Sequence, residues 1–271
     1  MKKLMFAAVA VLGLSAFAAI ESSNVVGYQS IAANAKRYTM MAPTFIAVGS
    51  EAGCTLANLK VVGYEPAELV DEEWEGGCTG GDFVINFLQN TGVAEASYYW
   101  IDDGETGPGW FASAGGAAIP GGAGSVSVPA GFSVWTKGTG LALQTSGAVN
   151  KNDVEFTTNA KRYTALGNGT PVQLTLNDLT VTGYDAAELV DEEWEGGCTG
   201  GDFVVNFLQN TGVAEASYYW IDDGETGPGW FASAGGAAIP GGASSVQVPA
   251  GKGMWVKGSG LKLNIPAPAG L

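Results

Sequence analysis

The sequence predicts an all-β protein with two tandem, internally duplicated modules behind a signal peptide, each module a β-sandwich or a small barrel. Three observations predict this class. A long stretch of the chain occurs twice, short apolar and aromatic runs alternate with glycine-rich turns, and the chain opens with an export signal. Many short strands separated by turn residues are typical of sandwiches and small barrels.

The duplication is visible directly in the residues. Residues 67–123 recur as residues 187–243, and the only change is Ile85 to Val205. The flanking segments are also repeated but are more diverged, and one loop of the second copy is five residues shorter. The sequence therefore predicts a signal peptide over residues 1–18, a first module over 19–149 and a second over 150–271.

The first residues have the layout of a secretory signal peptide. Two lysines follow Met1, an apolar run extends from Leu4 to Ala19, and Ala16-Phe17-Ala18 is an A-x-A cleavage signal. The apolar run is short for a bilayer span, which needs about 20 residues. An uncleaved membrane anchor is the alternative. We expect an exported protein in the periplasm, at the cell surface or outside the cell, with no membrane insertion after cleavage.

The net charge narrows the range of partners. The chain has a formal charge of −15 at pH 7. A surface of this sign repels phosphate backbones and anionic lipids, so we expect no nucleic-acid partner. The partners that remain are other copies of the chain and surface glycans.

The most distinct strand of each copy comes within the repeated stretch. Residues 82–89 of the first copy are mostly apolar on both faces, which predicts a central, buried strand. The turn residues Asn90-Thr91-Gly92 follow, and then Ser97–Ile101 is aromatic and β-branched. This order predicts a β-hairpin.

The remaining elements of the first copy are short. Residues 66–74 predict either one or two helical turns or an acidic surface loop, because so short a segment is marginal as a helix. The other predicted strands are residues 25–31, a turn and strand over 56–64, a strand that starts at Trp110, a half-exposed strand over 125–128, and strands over 132–136 and 141–143.

Several of these motifs together resemble a known class of protein. They are Val25-Val26-Gly27-Tyr28, Tyr38-Thr39-Met40, Thr55-Leu56-x-x-Leu59, Tyr98-Tyr99-Trp100, Gly109-Trp110-Phe111, and Val128-Pro129-Ala130-Gly131 followed by Trp135 and Lys137-Gly138. The pattern resembles mostly uncharacterised secreted tandem β-modules of Verrucomicrobia, Lentisphaerae and related bacteria. The resemblance covers nearly all of the mature chain. It implies secretion and a β-fold, and it brings no known active site.

The three cysteines leave the disulfide pairing open. In an oxidising compartment we expect a bridge between Cys54 and Cys78, with Cys198 left over. A bridge between Cys78 and Cys198 is the competing connectivity. A zinc site does not fit the sequence, because it has no histidine and no C-x-x-C pair.

Calcium is the one metal that the sequence suggests. Asp102, Asp103 and Glu105 could supply some of the six to eight oxygens that calcium prefers, and Asp222, Asp223 and Glu225 repeat them. The spacing differs from an EF-hand, and Asp-Gly is also common turn chemistry. No other cofactor is expected.

Aromatic residues near the acidic loops are candidates for glycan binding. Tryptophans could stack on sugar rings, although aromatic residues also fill the cores of small sandwiches. The candidate ligand-binding residues are Trp74, Trp110, Trp135, Trp194, Trp230 and Trp255.

The sequence contains no recognisable catalytic set. Without histidine there is no Ser-His-Asp or Cys-His arrangement, and the dense carboxylates around Trp74 and Trp194 are typical of a solvated acidic loop. We therefore expect a non-enzymatic secreted or cell-surface protein with a structural, adhesive or self-assembling role. A pair of carbohydrate-binding modules, with or without calcium, is the alternative.

Overall fold

A computed structural model describes residues 26–33, 39–50, 52–63, 83–88, 94–102, 106–113, 115–137, 141–158, 164–183, 203–208, 214–222, 226–233, 235–258 and 261–269. This part of the chain is all-β. Its only helical residues lie in 3₁₀ turns at Leu56–Asn58, Ala123–Ser125, Leu176–Asp178 and Ala243–Ser245.

The strands of the first copy include the predicted ones that fall among the described residues and add a short strand over residues 53–55. They are β1 (Val26–Ala32), β2 (Thr39–Met41), β3 (Gly53–Thr55), β4 (Leu59–Val62), β5 (Phe83–Leu88), β6 (Ala94–Asp102), β7 (Pro108–Phe111), β8 (Ser127–Pro129), β9 (Val134–Lys137) and β10 (Ala142–Ala148). The helical turns or acidic loop expected over residues 66–74 lie outside the described residues.

The strands of the second copy occupy equivalent positions. They are β11 (Val154–Thr157), β12 (Thr164–Gly167), β13 (Leu174–Thr175), β14 (Thr180–Thr182), β15 (Phe203–Leu208), β16 (Ala214–Asp222), β17 (Pro228–Phe231), β18 (Gln247–Val248), β19 (Gly253–Lys257) and β20 (Lys262–Ile265).

The sheets are small, open and antiparallel. In the first copy a five-stranded sheet has the order β2-β9-β5-β6-β7, a three-stranded sheet has the order β1-β10-β4, and β3 pairs with β8. In the second copy the corresponding orders are β12-β19-β15-β16-β17, β11-β20-β14 and β13-β18. Equivalent strands therefore take equivalent places in the two halves of the chain.

The predicted antiparallel pairing and the central position of the strand are confirmed, while the turn at 90–92 and the predicted burial of the strand's side chains lie outside what the structure describes. Strand β5 lies in the middle of its sheet, between β9 and β6. It pairs with β6 from Phe83 opposite Trp100 onwards, and the register shifts between Phe87 and Leu88. A bulge of this kind increases the local twist of the pair.

One predicted strand begins later than expected. Residues 123–125 form a 3₁₀ turn, and the strand runs over Ser127–Pro129. The Ser125 hydroxyl donates hydrogen bonds to the carbonyls of Pro120 and Gly122, at 2.8 and 2.7 Å. Serine side chains that bond to nearby backbone in this way compete with extended structure.

The five-stranded and three-stranded sheets of each copy contribute to one buried cluster. In the first copy Met41 and Val134 of the larger sheet lie in the same cluster as Leu143 of the smaller sheet. In the second copy Leu166, Met254 and Leu263 occupy the equivalent positions. Burial of these side chains from two sheets is the main source of stability in such a domain.

Candidate functional site

Two of the candidate ligand-binding tryptophans belong to the core. Trp110 and Trp230 are each 8% exposed. Their indole Nε1 atoms donate to the backbone carbonyls of Leu59 and Leu179, at 2.7 and 2.8 Å. Rings with this burial have no face open to a sugar, so the prediction that Trp110 and Trp230 bind a ligand disagrees with the structure.

Neighbouring tryptophans hold these rings in place. Trp100 contacts Trp110 edge to face, with ring centroids 5.2 Å apart and an interplanar angle of 79°. Trp220 and Trp230 repeat the contact at 5.3 Å and 80°. Such T-shaped pairs add to the stability that burial provides. The tryptophans of β7 and β17, which the sequence suggested for stacking on sugar rings, therefore point into the core.

The other candidate tryptophans are less fully described. Trp255 is half-buried and packs against Met40 and Ala165. Trp74, Trp194 and the side chain of Trp135 lie outside the described residues. Ligand binding at these four positions stays a prediction.

The calcium candidates are described at only one position in each copy. Asp102 and Asp222 are half-buried, and they end β6 and β16 opposite Pro108 and Pro228. The remaining calcium candidates lie outside the described residues; they are Asp103, Glu105, Asp223 and Glu225. Among the side chains that are described, no three histidine, cysteine or acidic residues cluster as metal ligands would. Calcium binding stays a prediction.

Cys54 is a buried, unbridged thiol in the structure. The predicted Cys54–Cys78 bridge is therefore not formed, and Cys78 itself lies outside the described residues. Burial raises the pKa of the Cys54 thiol from 9.0 to about 12, because a thiolate loses solvation there. The equivalent residue of the second copy is Leu174, which is also buried. Cys54 thus behaves as a small core residue.

A cleft of about 410 Å³ lies where the two copies meet. We call it the junction cleft. Its walls come from the end of β8 and the following turn in the first copy, and from the connecting segment and β11 in the second. The lining residues are Ala52, Pro129, Ala130, Phe132, Asn150, Asn152, Asp153, Val154, Glu155, Phe156 and Thr157.

The junction cleft combines an aromatic pair with polar groups. Phe132 and Phe156 contact edge to face at 5.1 Å. The Asp153 carboxylate accepts a hydrogen bond from the Ala267 amide at 2.7 Å, and Glu155 pairs with Lys262 at 2.8 Å. Both acidic side chains are exposed, so the ion pair adds little stability but leaves oxygen atoms at the rim.

A second cleft, of about 600 Å³, lies within the first copy beside Tyr98. Three serines, Ser97, Ser125 and Ser127, line it together with Ile119 and other apolar residues. At Tyr218, the equivalent of Tyr98 in the second copy, partial burial raises the pKa of the phenol. Among the described residues that line this cleft, Tyr98 supplies the one aromatic ring.

Sequence reasoning missed both clefts because their walls come from distant parts of the chain. One signal was present for the junction cleft. Phe132 and Asp153 correspond to Lys252 and Tyr28 in the other copy. These lining residues differ between the copies, whereas the residues of the long repeated stretch are nearly identical.

Comparison of the chain with protein-family models, with curated proteins and with solved structures finds no match. The described residues also include no helix long and apolar enough to cross a bilayer. The site must therefore be interpreted from its own chemistry.

Proposed function

We propose that the protein is a non-enzymatic, exported β-repeat protein with a structural, adhesive or self-assembling role, in which each copy is a small β-sandwich module. Sharing of one buried cluster by the two sheets of each copy supports the sandwich. The resemblance to secreted tandem β-modules and the signal-like first residues support export. One surface feature, on strand β1, carries the proposed role.

Strand β1 is an edge strand with an exposed apolar face. It pairs with β10 on one side and ends its sheet on the other. Val26 is 64% exposed and Tyr28 is 73% exposed, and they lie two residues apart on the same face. Val48, also 64% exposed, lies two residues after Ile46, which bridges to the same Ala148 that pairs with Val26. These three are the exposed large hydrophobic residues of the described chain.

The second copy lacks this feature. Its residues at the places of Val26 and Tyr28 are Lys151 and Asp153, which are charged. An apolar edge strand readily adds another strand, whereas charges on an edge oppose such pairing. One self-complementary edge in each chain closes a twofold dimer of chains rather than an open filament.

The test is to give the first copy the residues of the second. At increasing concentrations, light scattering coupled to size exclusion should find the mature protein as a dimer. The double variant Val26→Lys, Tyr28→Asp should be a monomer with an unchanged circular dichroism spectrum. The reverse variant, Lys151→Val with Asp153→Tyr, places the apolar pair of the first copy directly before β11 and should form longer assemblies. A wild-type chain that stays monomeric at every concentration would contradict the self-assembling role.

The junction cleft favours glycan binding as a second candidate function. An aromatic ring next to amide and carboxylate oxygens is the usual lining of a sugar site. The described tryptophans do not supply the ring, but Phe132 does. A glycan array with the mature protein would show binding that Phe132→Lys, the residue of the second copy, abolishes. The exposed variant Gly124→Ser should leave it intact. Absence of binding across the array would remove this candidate.

A further inference from the structure

The two copies meet through contacts that occur twice with the roles of the copies exchanged. Met41 of the first copy forms an antiparallel bridge with Lys252 of the second, and Leu166 of the second forms one with Phe132 of the first. Leu166 is the repeat equivalent of Met41, and Lys252 is the equivalent of Phe132. The two bridges are therefore the same contact, related by a twofold exchange of copies.

The hydrogen bonds at this interface repeat in the same way. The Ala42 amide donates to the Gly251 carbonyl at 2.9 Å, and the Gly167 amide donates to the Gly131 carbonyl at 2.9 Å. Gly167 is the equivalent of Ala42, and Gly131 is the equivalent of Gly251. Because these are backbone bonds, the interface tolerates the side-chain differences between the copies.

Side-chain packing extends the symmetry beyond the hydrogen bonds. A Cβ on Gly131 would lie 2.7 Å from the Phe156 ring, and a Cβ on Gly251 would lie 2.6 Å from Ile31. Ile31 and Phe156 are equivalent residues of β1 and β11. Each copy therefore places its first strand against the turn that precedes β9 or β19 in the other.

We call this set of contacts the copy interface: residues 40–43 and 131–133 of the first copy with 165–168 and 251–253 of the second. It covers the outer edges of β2 and β12, which would otherwise be open sheet edges. Met41 and Leu166 are fully buried in it. Contact of the same patch with its own equivalent is the geometry of a twofold dimer interface.

We propose that the copy interface is a self-complementary docking surface whose partner is another copy of the same module, and that the modules associate without their covalent link. The structure favours this because the reciprocal bridges and hydrogen bonds are made by residues outside the link. Lys151, Asn152 and Asp153 are exposed, whereas Met41 and Leu166, one residue of each bridge, are fully buried. The proposal uses a different surface from the exposed face of β1 at Val26 and Tyr28, and it stands or fails separately from the proposed function.

The test is to cut the link in the folded, full-length protein. A recognition site for a specific protease is inserted between Lys151 and Asn152, and the uncut form serves as the folding control. After cleavage, size exclusion with light scattering should give one particle with the mass of the intact chain. Two separate fragments under native conditions would overturn the proposal.

A matched pair of glycine variants identifies the surface. A Cβ on Gly253 would lie 2.3 Å from Cγ of Met40, in the other copy, while a Cβ on Gly124 would meet no described atom within 4 Å. In the cut protein Gly253→Val should weaken association by roughly tenfold to a hundredfold, as expected for overpacking at an interface. Gly124→Val should leave it unchanged. If uncut Gly253→Val loses its native spectrum, Gly253→Ala replaces it. Equal association of the Gly253 and Gly124 variants would contradict the assignment.

Discussion

The first and second copies have equivalent sheets but differ in the side chains at some of their exposed positions. Their five-stranded sheets occupy equivalent places, and Trp110 and Trp230 donate the same hydrogen bond, to the carbonyls of Leu59 and Leu179. The copies differ in the chemistry of single exposed positions, such as Tyr28 on β1 and its equivalent Asp153, which lies just before β11. The comparison teaches that the shared framework depends on backbone pairing and a common core, which both copies keep although their exposed positions have diverged.

The divergent positions are matched pairs within one molecule. Cys54 corresponds to Leu174, Thr145 to Ile265 and Gly124 to Ser244. Each pair gives one backbone site with two side chains. Substituting one member by the other therefore tests the physical reason for the difference with the fold held constant.

The largest effect is expected at the buried tryptophans. Trp110→Ala and Trp230→Ala should each lower the free energy of unfolding by about 3–5 kcal/mol, because a large ring and a buried hydrogen bond are lost. Denaturant unfolding measures both. Trp110→Phe and Trp230→Phe keep an aromatic ring and serve as controls with smaller losses. Costs that differ between the copies by more than about 2 kcal/mol would show that the two cores are not equivalent.

A smaller, stabilising effect is expected at Thr145. Its hydroxyl is buried and has no hydrogen-bond partner in the structure, whereas Ile265 fills the equivalent place with apolar atoms. Replacing an unsatisfied hydroxyl by a methyl group, as in Thr145→Val, should raise the free energy of unfolding by about 1 kcal/mol. The reverse change, Ile265→Thr, should lower it. A loss of stability in Thr145→Val, measured by thermal or denaturant unfolding, would mean that the hydroxyl has a partner.

Cys54 should make stability depend on alkaline pH. Burial raises the pKa of this thiol to about 12 in the folded protein, above its ordinary value of 9.0. The folded state therefore keeps a proton that the unfolded state loses, so stability falls as the pH rises from about 9 to about 12. Below pH 9 this contribution is constant.

Cys54→Leu, which copies Leu174, removes this titration. Unfolding of the variant and of the wild type is compared at several pH values, so that tyrosines and lysines common to both cancel. The gap between the two curves should widen in favour of the variant above pH 9. Parallel curves would contradict a buried, neutral thiol.

The smallest effect is expected at Gly124. This residue is exposed, its equivalent is Ser244, and a Cβ there has open space around it. Gly124→Ser should change the free energy of unfolding by less than about 0.5 kcal/mol, within the range of ordinary surface substitutions. A larger change would show that the two 3₁₀ turns differ in more than their sequence.

Much of the local structure was predictable from the residues. The two apolar faces of residues 82–89 predicted a central strand, and β5 occupies the middle of its sheet. The turn before Leu59 and the hairpin after it were predictable because their signals are local. The 3₁₀ turn at Ala123–Ser125 was missed because a serine side chain bonds to the backbone there.

The contacts between distant segments were not predictable in the same way. A tryptophan on a strand suits a core or a ligand platform equally well, and only the partner Leu59 shows that Trp110 lies inside. The copy interface joins residues such as Met41 and Lys252, and no local pattern marks either of them. Such pairings depend on the whole chain rather than on neighbouring residues.

The most direct test of the twofold contact between the copies is amide hydrogen exchange at Ala42 and Gly167 in the intact protein. These two amides make the equivalent cross-copy hydrogen bonds, each at 2.9 Å. If the copies are joined through one twofold interface, both amides should be strongly and similarly protected, because both exchange through opening of the same contact. Rapid exchange of either amide, at the rate of an exposed loop, would contradict the reciprocal pairing of the copies.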